Sequence, residues 1–500
     1  MVFQLPSKDA LRTLAASLGM DIDDDYAEQA LAVLGGSVAA FRLIEQLPDE
    51  VLPVRYPRTP GLRPYPQDNP YGAWAVRTDI TGAAGGTLDG RRVAIKDNVA
   101  IAGVPLMNGS SVLDGYVPDG DATIVTRILD AGGYIAGKAV CEYFCFAGGS
   151  VTSASGPVIS PRNPGHTTGG SSSGSAALLA AGEVDLAIGG DQAGSIRIPA
   201  SFTGVVGLKP TFGLVPYTGI LGLDYTIDHA GPMARSVADC ALFLEVLAGA
   251  DGIDGRQNGV RTAAYSQGLD RDVSGMRIGV VREGFGLAES HEGSDAAVRS
   301  AIKALEGAGA LVEEVSIPWH ANGLALWSAI ANEGHFNTLF HGFGVGHLNL
   351  GAYPLSIITA LGDITRRANE LPHTVKISAL LGCYAHAQYQ GRYYAKAQNL
   401  RRRLRRAYDE MFVRFDLLAM PTLPFPTLKL PPADAPLADV IGHSWSMLAN
   451  TAPFNLTGHP AISVPCGETE GKPVGLMLIG QHFEDAMVLH GAAACERLMR

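Results

Sequence analysis

The pattern of hydrophobic and polar positions divides the chain into two parts. Through the first 46 residues, apolar side chains recur at helical spacing, as at Leu11 and Leu18, which predicts amphipathic helices. The following stretch from Leu52 to Pro70 contains six prolines, counting Pro70 itself. It can therefore form neither a regular helix nor a central strand. We therefore predict a helical N-terminal extension with a Pro-rich linker over residues 1–66 and a second domain over residues 67–500.

Beyond the linker, short apolar segments alternate with segments of helical periodicity. Strands are predicted at 92–96, 134–138 and 184–189, with a helix at 122–131 between the first two. This alternation is typical of α/β proteins with a parallel sheet. We predict an α/β fold with a mixed, mainly parallel central sheet covered by helices on both faces. Within it, residues from about 320 to 415 are predicted to form a helical insert.

Composition narrows the class of function. With 38 Lys and Arg against 49 Asp and Glu, the net charge is −11, so no global basic field is available to hold a nucleic acid. Five arginines between 401 and 406 are interpreted as the solvated face of a helix. The six cysteines form no CxxC pair, which argues against a disulfide framework or a metal site and favours a reducing compartment. No signal peptide or membrane span is recognised. We expect a cytoplasmic enzyme without nucleic-acid or membrane partners.

The segment at 167–175 consists of nine consecutive Gly, Ser or Thr residues and leads directly into an apolar helix. Such a loop allows close approach of a ligand and presents backbone N–H groups and hydroxyls at a helix N-terminus. A flexible linker or an N-cap is the simpler interpretation. The loop also matches the G-x-S-x-G pattern of a nucleophile elbow, with Ser172 in the centre. Such an elbow requires a strand immediately before it, and no strand is predicted there.

A second small-residue turn, 189–195, follows the predicted strand at 184–189 and ends at Ser195. The carboxyl ends of sheet strands are where open α/β folds place their sites, and small residues allow N–H groups to converge as in an oxyanion hole. An ordinary strand-to-helix turn remains an alternative. Lys96 ends another strand, where burial would favour its neutral form and complete a nucleophile and base pair. A single lysine in such a position is more often a surface or ion-paired residue. The S-x-x-K match at Ser300 is discounted because it lies within an amphipathic helix.

Four ordered motifs together closely resemble the amidase signature family. They are VAIKDN at 93–98, GGSSSGSAA at 169–177, GGDQAGSIRIPA at 189–200 and GLKPTFGLVP at 207–216. The separations of 75 residues from Lys96 to Ser171 and 24 residues from Ser171 to Ser195 agree with that family's Ser-Ser-Lys triad. The resemblance extends over roughly residues 70–500. With its helical extension, the chain is most similar to bacterial amidases associated with nitrile hydratase, which act on aliphatic and aryl carboxamides.

The resemblance implies a role for each matching residue. Ser195 would be the acylated nucleophile, Ser171 the bridging serine with a cis peptide bond, and Lys96 the base. It also implies an oxyanion hole and a substrate pocket without metal or organic cofactor. The oxyanion hole would be formed by the backbone N–H groups of Gln192, Ala193, Gly194 and Ser195. Substrate-binding candidates are Gly169 and Gly170 in the loop and, as apolar pocket walls, Phe146, Ile227 and Trp327. Each of these three apolar side chains is equally consistent with a place in the hydrophobic core. Ala193 replaces the glycine usual in the family, and alanine disfavours positive φ.

Several alternatives stay open at this point. A carbamate or anilide hydrolase would use the same triad. The A subunit of the tRNA-dependent amidotransferase would need a partner complex, and that branch usually carries Gln where this chain has Ile198. A binding protein using the Gly/Ser loop as a phosphate cradle would need a Walker lysine, which does not follow the loop. We interpret Arg197 as a structural salt-bridge partner rather than a clamp for a substrate carboxylate, and Asp191 as a residue that shapes the turn. A homodimer through the N-terminal helices is expected.

Overall fold

The structure is a computed structural model in which residues 3–346 and 349–500 are described. The chain forms two compact units, residues 1–51 and 52–500. Met1 and Val2 of the predicted extension lie outside the described residues. The division falls before the Pro-rich segment and therefore earlier than the predicted limit at residue 66.

The smaller unit consists of two helices. α1 (Lys8–Ser17) begins at Ser7, whose side chain accepts a hydrogen bond from Ala10 N, and α2 (Asp24–Gln46) begins at Asp23, which caps Tyr26 N in the same way. These N-caps satisfy backbone N–H groups that a helix start would leave free. α2 has 23 residues and a mean hydropathy of 1.3 over its most apolar 18 residues, so by length and composition alone it could span a membrane. Few of its side chains are buried.

The larger unit alternates strands with helices. Its helices are α3 (Thr123–Asp130), α4 (Ser173–Ala180), α5 (Arg197–Thr203), α6 (Val237–Leu247), α7 (Glu292–Gly307), α8 (Gly323–Phe336), α9 (Leu355–Leu361), α10 (His373–Tyr389), α11 (Arg392–Phe412), α12 (Leu437–Trp445), α13 (Ala452–Thr457) and α14 (Asp485–Met499). Its strands are β1 (Trp74–Thr81), β2 (Arg92–Lys96), β3 (Tyr134–Ala139), β4 (Leu186–Asp191), β5 (Val206–Lys209), β6 (His229–Ala234), β7 (Arg277–Val281), β8 (Leu311–Val315), β9 (Leu417–Pro421), β10 (Ala461–Thr469) and β11 (Lys472–Ile479).

Across the described residues these strands form one 11-stranded mixed sheet in the order β1-β3-β2-β4-β6-β5-β10-β11-β9-β7-β8. The parallel pairs form two blocks, β3-β2-β4 and β9-β7-β8. Antiparallel pairs join the two blocks and add β1 at one edge. The predicted α/β class with a mixed sheet and flanking helices is confirmed.

Alternating side chains of β2 show how helices cover both faces of the sheet. Val93 and Ile95 belong to the large hydrophobic core that also contains side chains of α3 and α6. Ala94, between them, belongs to a second core formed with α4 and α5. Because successive strand residues point to opposite faces, one core lies on each side of the sheet.

The Pro-rich segment is not a free linker, because it makes specific contacts with the rest of the larger unit. Leu62 exchanges backbone hydrogen bonds of 2.8 Å with Arg77 of β1, and Arg58 forms an ion pair with buried Asp121. These contacts explain why the division between units falls at Val51 and not after the prolines.

Helices α8 to α11 lie between β8 and β9, where the helical insert is predicted. On α11 the buried side chains are Ala397, Leu404, Tyr408 and Phe412. Four of the five arginines between 401 and 406 are exposed, so the helix is amphipathic, with its basic side chains mainly toward solvent.

Candidate active site

Two parallel neighbours in the sheet bring the candidate residues together. β2 ends at Lys96 and β4 ends at Asp191, and Ile95 of β2 pairs with Ile188 of β4. The carboxyl ends of parallel strands meet at one edge of a sheet, which is where α/β enzymes form their sites. Lys96 and the turn that leads to Ser195 therefore lie at the same edge.

Lys96 is fully buried and points to the Gly/Ser loop. Its Nζ donates hydrogen bonds to Ser171 Oγ at 2.7 Å and to the Gly190 carbonyl at 3.0 Å. Among described residues, no carboxylate oxygen lies within 4.0 Å of Nζ, because the neighbouring Asp97 pairs with Lys138 at 3.2 Å. Within the described part of the chain, Lys96 is thus neither a surface residue nor an ion-paired one.

The Gly/Ser loop is fixed to the end of β4. The peptide bond between Gly170 and Ser171 is cis, as the resemblance implies. Ser172 Oγ donates to the Gly190 carbonyl at 3.1 Å and accepts from Gly190 N at 3.2 Å. With both contacts made to backbone, Ser172 holds the loop in place, and the nucleophile-elbow alternative has no support in the geometry.

Asp191 organises the turn that carries Ser195. Its carboxylate accepts hydrogen bonds from Gly194 N at 2.7 Å and Ile196 N at 3.2 Å, two from Arg197 at 3.0 Å each, and one from Asn455 Nδ2 at 2.9 Å. All of this network is buried. Burial opposes ionisation, but the adjacent Arg197 guanidinium holds the pKa of Asp191 well below its usual range. Arg197 is therefore a structural partner of Asp191, as the sequence predicts.

The backbone of this turn leaves three N–H groups free. Gly194 N is directed at Asp191, whereas the N–H groups of Gln192, Ala193 and Ser195 donate to no other described residue. Ala193 is not at positive φ; Gly194 is, at +136°, and a Cβ there would lie 2.4 Å from Thr451 Oγ1. The alanine at 193 is thus compatible with the turn, and three N–H groups without a partner among the described residues lie in the turn that carries Ser195.

Ser195 lines a narrow, mainly apolar cavity, and its hydroxyl makes no hydrogen bond to another described residue. The cavity is lined by Cys145, Phe146, Ala147, Gly148, Gln192, Ala193, Ser195, Leu223, Trp327, Trp445 and Leu448. The Phe146 and Trp327 rings are stacked with centroids 6.4 Å apart. Trp327 also donates its indole N–H to the Gln192 carbonyl at 2.7 Å.

The remaining candidates for substrate binding lie outside that lining. Gly169, at φ +74°, packs against Phe202 and Ile198, and Gly170 lies against Glu142. Ile227 is buried, and its carbonyl accepts a hydrogen bond from Asn455 Nδ2 at 3.3 Å. The structure gives these three residues packing and backbone contacts.

Sequence reasoning missed several residues of the site. Trp445 and Leu448 reach the cavity from the end of α12 and the short turn after it, and Asn455 reaches Asp191 from α13. They lie about 250 residues or more from Ser195 and Asp191 along the chain. Their sequence context carries no catalytic motif, although the stretch from 455 to 465 is part of the family resemblance.

Side chains that could bind a metal ion lie together away from the Ser195 cavity. In residues 3–346 and 349–500, one group of three or more His, Cys, Asp or Glu side chains has ligand atoms close enough to share an ion, and it consists of Asp409, His459 and His482. None of the three lines the Ser195 cavity. Cys141 and Cys145 are free thiols whose sulfurs both contact Asn108 Oδ1, at 3.6 and 3.3 Å.

Comparison with known proteins agrees with this geometry. The family model described as Amidase matches residues 71–489. An enantioselective amidase from Rhodococcus rhodochrous is 45% identical over 477 residues, covering 94% of this chain and 90% of that protein. Among solved structures, the A subunit of the glutamyl-tRNA(Gln) amidotransferase from Thermotoga maritima superposes with a TM-score of 0.72 at 31% identity, covering 86% of this chain and 88% of that one. Native peptide amidase from Stenotrophomonas maltophilia gives a TM-score of 0.69 at 29% identity, covering 83% and 84%.

Fold and site thus define an α/β hydrolytic enzyme that acts on amide C–N bonds. The chain belongs to the amidase signature family, and it is an amidase that converts carboxylic acid amides to the carboxylate and ammonia or an amine.

The Asp191–Arg197 pair generates a prediction about stability. Arg197→Ala leaves a buried carboxylate without its charge partner, so we expect the free energy of unfolding to fall by about 3–5 kcal/mol. Arg197→Lys should not restore it, because an ammonium cannot reproduce the two-pronged guanidinium contact. Urea unfolding followed by tryptophan fluorescence measures the change.

Arg235→Ala is the matched control, since that arginine is 45% exposed and pairs with Asp185 at 3.3 Å. Its loss should cost no more than about 1 kcal/mol. Equal effects of the two alanine variants would contradict the structural role given to Arg197.

Proposed function

We propose that the enzyme hydrolyses neutral carboxamides with apolar acyl groups through an acyl-enzyme on Ser195, with Ser171 and Lys96 as proton relay and base. The observation that carries this proposal is the 2.7 Å hydrogen bond between Lys96 Nζ and Ser171 Oγ, made by a fully buried lysine with no carboxylate partner among described residues. A buried amine in contact with a hydroxyl is suited to accept its proton.

In the proposed reaction the neutral Lys96 amine accepts the proton of Ser171 while Ser171 accepts that of Ser195. Ser195 Oγ then attacks the amide carbonyl carbon. The relay returns a proton to the leaving nitrogen as the C–N bond breaks, and water hydrolyses the resulting ester by the same steps. The Ser171 and Ser195 hydroxyls are not hydrogen-bonded to each other in the free enzyme, and such contacts often tighten only when substrate is bound.

The turn supplies the electrostatic part of the mechanism. Negative charge develops on the carbonyl oxygen as the tetrahedral intermediate forms, and preorganised N–H donors stabilise it. The free N–H groups of Gln192, Ala193 and Ser195 fit this task. The resemblance implies Gly194 as a further donor, but its N–H donates to the Asp191 carboxylate at 2.7 Å. Gly194 therefore stabilises the conformation of the turn.

The cavity supports the substrate class. Phe146, Trp327 and Leu448 present apolar surface beside Ser195, while Arg197 is fully buried in its pair with Asp191 and cannot clamp a substrate carboxylate. Similarity to an enantioselective amidase favours carboxamides over a role within an amidotransferase complex. Carbamates and anilides share the same carbonyl chemistry and belong in the same assay panel.

Trapping the acyl-enzyme tests the nucleophile. A fluorophosphonate should modify Ser195, because its hydroxyl faces the cavity. No Lys or Arg lies between 163 and 196, so one tryptic peptide contains five serines, namely Ser171, Ser172, Ser173, Ser175 and Ser195. Tandem mass spectrometry must therefore locate the added mass.

Ser195→Ala should abolish labelling. Ser172→Ala is the matched control and should still be labelled, with a stability loss of about 1–3 kcal/mol from its two hydrogen bonds. Labelling at Ser172 in the wild-type enzyme would refute the assignment.

Replacing Lys96 tests the base. Lys96→Ala should lower kcat/KM by at least about 10²–10⁴-fold, the usual contribution of general acid–base catalysis. Lys96→Arg should not rescue activity, because a guanidinium stays protonated. Amide hydrolysis at saturating and subsaturating substrate gives both constants.

Lys303→Ala is the control, since Lys303 is exposed on α7 and belongs to the discounted S-x-x-K match. Activity of the Lys96→Arg enzyme near the wild-type level would eliminate Lys96 as base. His166 or His229 would then be the next candidate.

We further propose that the N-terminal unit forms a homodimer. Tyr26, Val33, Phe41 and Ile44 of α2 are 62%, 76%, 49% and 65% exposed, an apolar surface that a monomer rarely keeps. Residues 1–51 carry nine acidic and three basic residues, which disfavours an anionic membrane and leaves a second copy of the unit as the better partner. With all six cysteines free in the structure, we propose a cytoplasmic location.

Light scattering coupled to size exclusion should give twice the chain mass. Val33→Glu with Ile44→Glu should shift the protein toward monomer by placing charges in the apolar face, whereas Glu28→Gln, on the same helix, should not. A wild-type monomer, or a monomer that sediments with anionic lipid vesicles, would refute the dimer.

A further inference from the structure

Three potential metal ligands meet on the larger unit, away from the Ser195 cavity. Asp409 lies on α11, His459 directly follows the Gly458 that ends α13, and His482 follows β11. Nothing in the proposed mechanism uses them.

Their ligand atoms converge on one oxygen. His459 Nε2 lies 3.0 Å and His482 Nδ1 3.9 Å from Asp409 Oδ1, and all three ligand atoms lie within 4.8 Å of one another. Ligands at the usual zinc distances of about 2.0–2.2 Å in a tetrahedral site are about 3.4 Å apart. Small side-chain shifts would therefore bring the three atoms to coordination distance.

Thr457 fixes the orientation of both imidazoles. Its hydroxyl lies 2.9 Å from His459 Nδ1, and its carbonyl lies 2.9 Å from His482 Nε2. Metal-bound histidines usually place the second ring nitrogen on such an oxygen, which selects the tautomer and aims the other nitrogen at the ion. Here one residue does this for both rings.

The tautomer of His482 leaves a lone pair facing a carboxylate. A carbonyl oxygen can only accept, so His482 Nε2 must carry the proton that it shares with Thr457. In the neutral ring Nδ1 is then unprotonated, and no described residue donates a hydrogen bond to it. It faces the Asp409 carboxylate without a donor between them, an arrangement that a cation would satisfy.

From this geometry we propose that Asp409, His459 and His482 bind a divalent transition metal ion of the zinc class, with water as the fourth ligand. Imidazole nitrogens select Zn²⁺, Co²⁺ or Ni²⁺ over Mg²⁺ and Ca²⁺. The side chains of Asp409 and His482 are 40% and 14% exposed, which gives the ion a path from solvent. The ion would tie α11 to the segments that follow α13 and β11.

Arg405 limits the affinity of this site. Its Nε lies 3.5 Å from Asp409 Oδ2, where it orients the carboxylate but also repels a cation. We therefore expect a dissociation constant in the micromolar range, weaker binding than that of closed structural zinc sites.

Metal titration of the tag-free, full-length, chelator-treated protein tests the proposal. Calorimetry with ZnCl₂ should give one ion per chain, and CoCl₂ should produce the intense visible absorption of tetrahedral Co²⁺. His482→Ala and Asp409→Asn should each weaken binding at least about tenfold. His373→Ala, an exposed histidine on α10, should leave it unchanged.

Thermal unfolding provides the second measurement. Saturating Zn²⁺ should raise the Tm of the wild-type protein and of His373→Ala but not that of His482→Ala, so a variant with lowered basal stability still reports on the site. Binding weaker than about 100 µM, equal affinity in His482→Ala, or equal binding of Mg²⁺ would each overturn the proposal. Amide hydrolysis is not a readout, so the result is independent of the mechanism at Ser195.

Discussion

The buried carboxylate of Asp191 is the constraint on which the turn that carries Ser195 depends. It sits at the last position of β4 and gathers donors from its own turn, from the first residue of α5 and from α13. A charged group this deep is tolerated only when its hydrogen-bonding capacity is filled. Gly194 N donates to this carboxylate. The N–H groups of the residues on either side, Ala193 and Ser195, have no partner among the described residues.

Much of the site follows from local sequence. The alternation of apolar strands with helices places Lys96 and Ser195 at the ends of two strands, and the structure brings them to one edge because those strands are parallel neighbours. The role of Ser172 could not be derived in this way. Its hydroxyl serves the backbone of Gly190, a contact that depends on how the loop folds back onto β4.

The strand order and the identity of the residues that line the cavity cannot be predicted from a single sequence. β6, β5, β10 and β11 join the two parallel blocks by antiparallel pairing, and β5 and β10 are separated by about 250 residues in the chain. Such pairing is decided by packing across the whole domain, not by local propensity. Likewise, Trp445 has the same local sequence pattern whether it lines a cavity or fills a core. The same holds for Phe146 and Trp327, for which the sequence left both possibilities open.

The division of the chain between residues 51 and 52 has a similar origin. Proline content predicts where regular structure stops, but it does not predict what the extended segment touches. The ion pair of Arg58 with Asp121 and the backbone bonds of Leu62 attach that segment to the larger unit. The unit that contains α1 and α2 therefore ends before the Pro-rich segment, and large apolar side chains of α2 such as Val33 and Ile44 are exposed.

The indole of Trp327 joins two functions that are usually discussed separately. The ring lines the cavity beside Ser195, while its N–H donates to the carbonyl of Gln192, which shares a peptide unit with the free N–H of Ala193. Under the proposed mechanism, a substitution of Trp327 that reshapes the cavity would therefore also move a peptide that is proposed to stabilise the transition state. For laboratory evolution, substrate range and turnover are coupled at this position, and the cavity would be enlarged with less loss of rate from the side of Trp445 and Leu448.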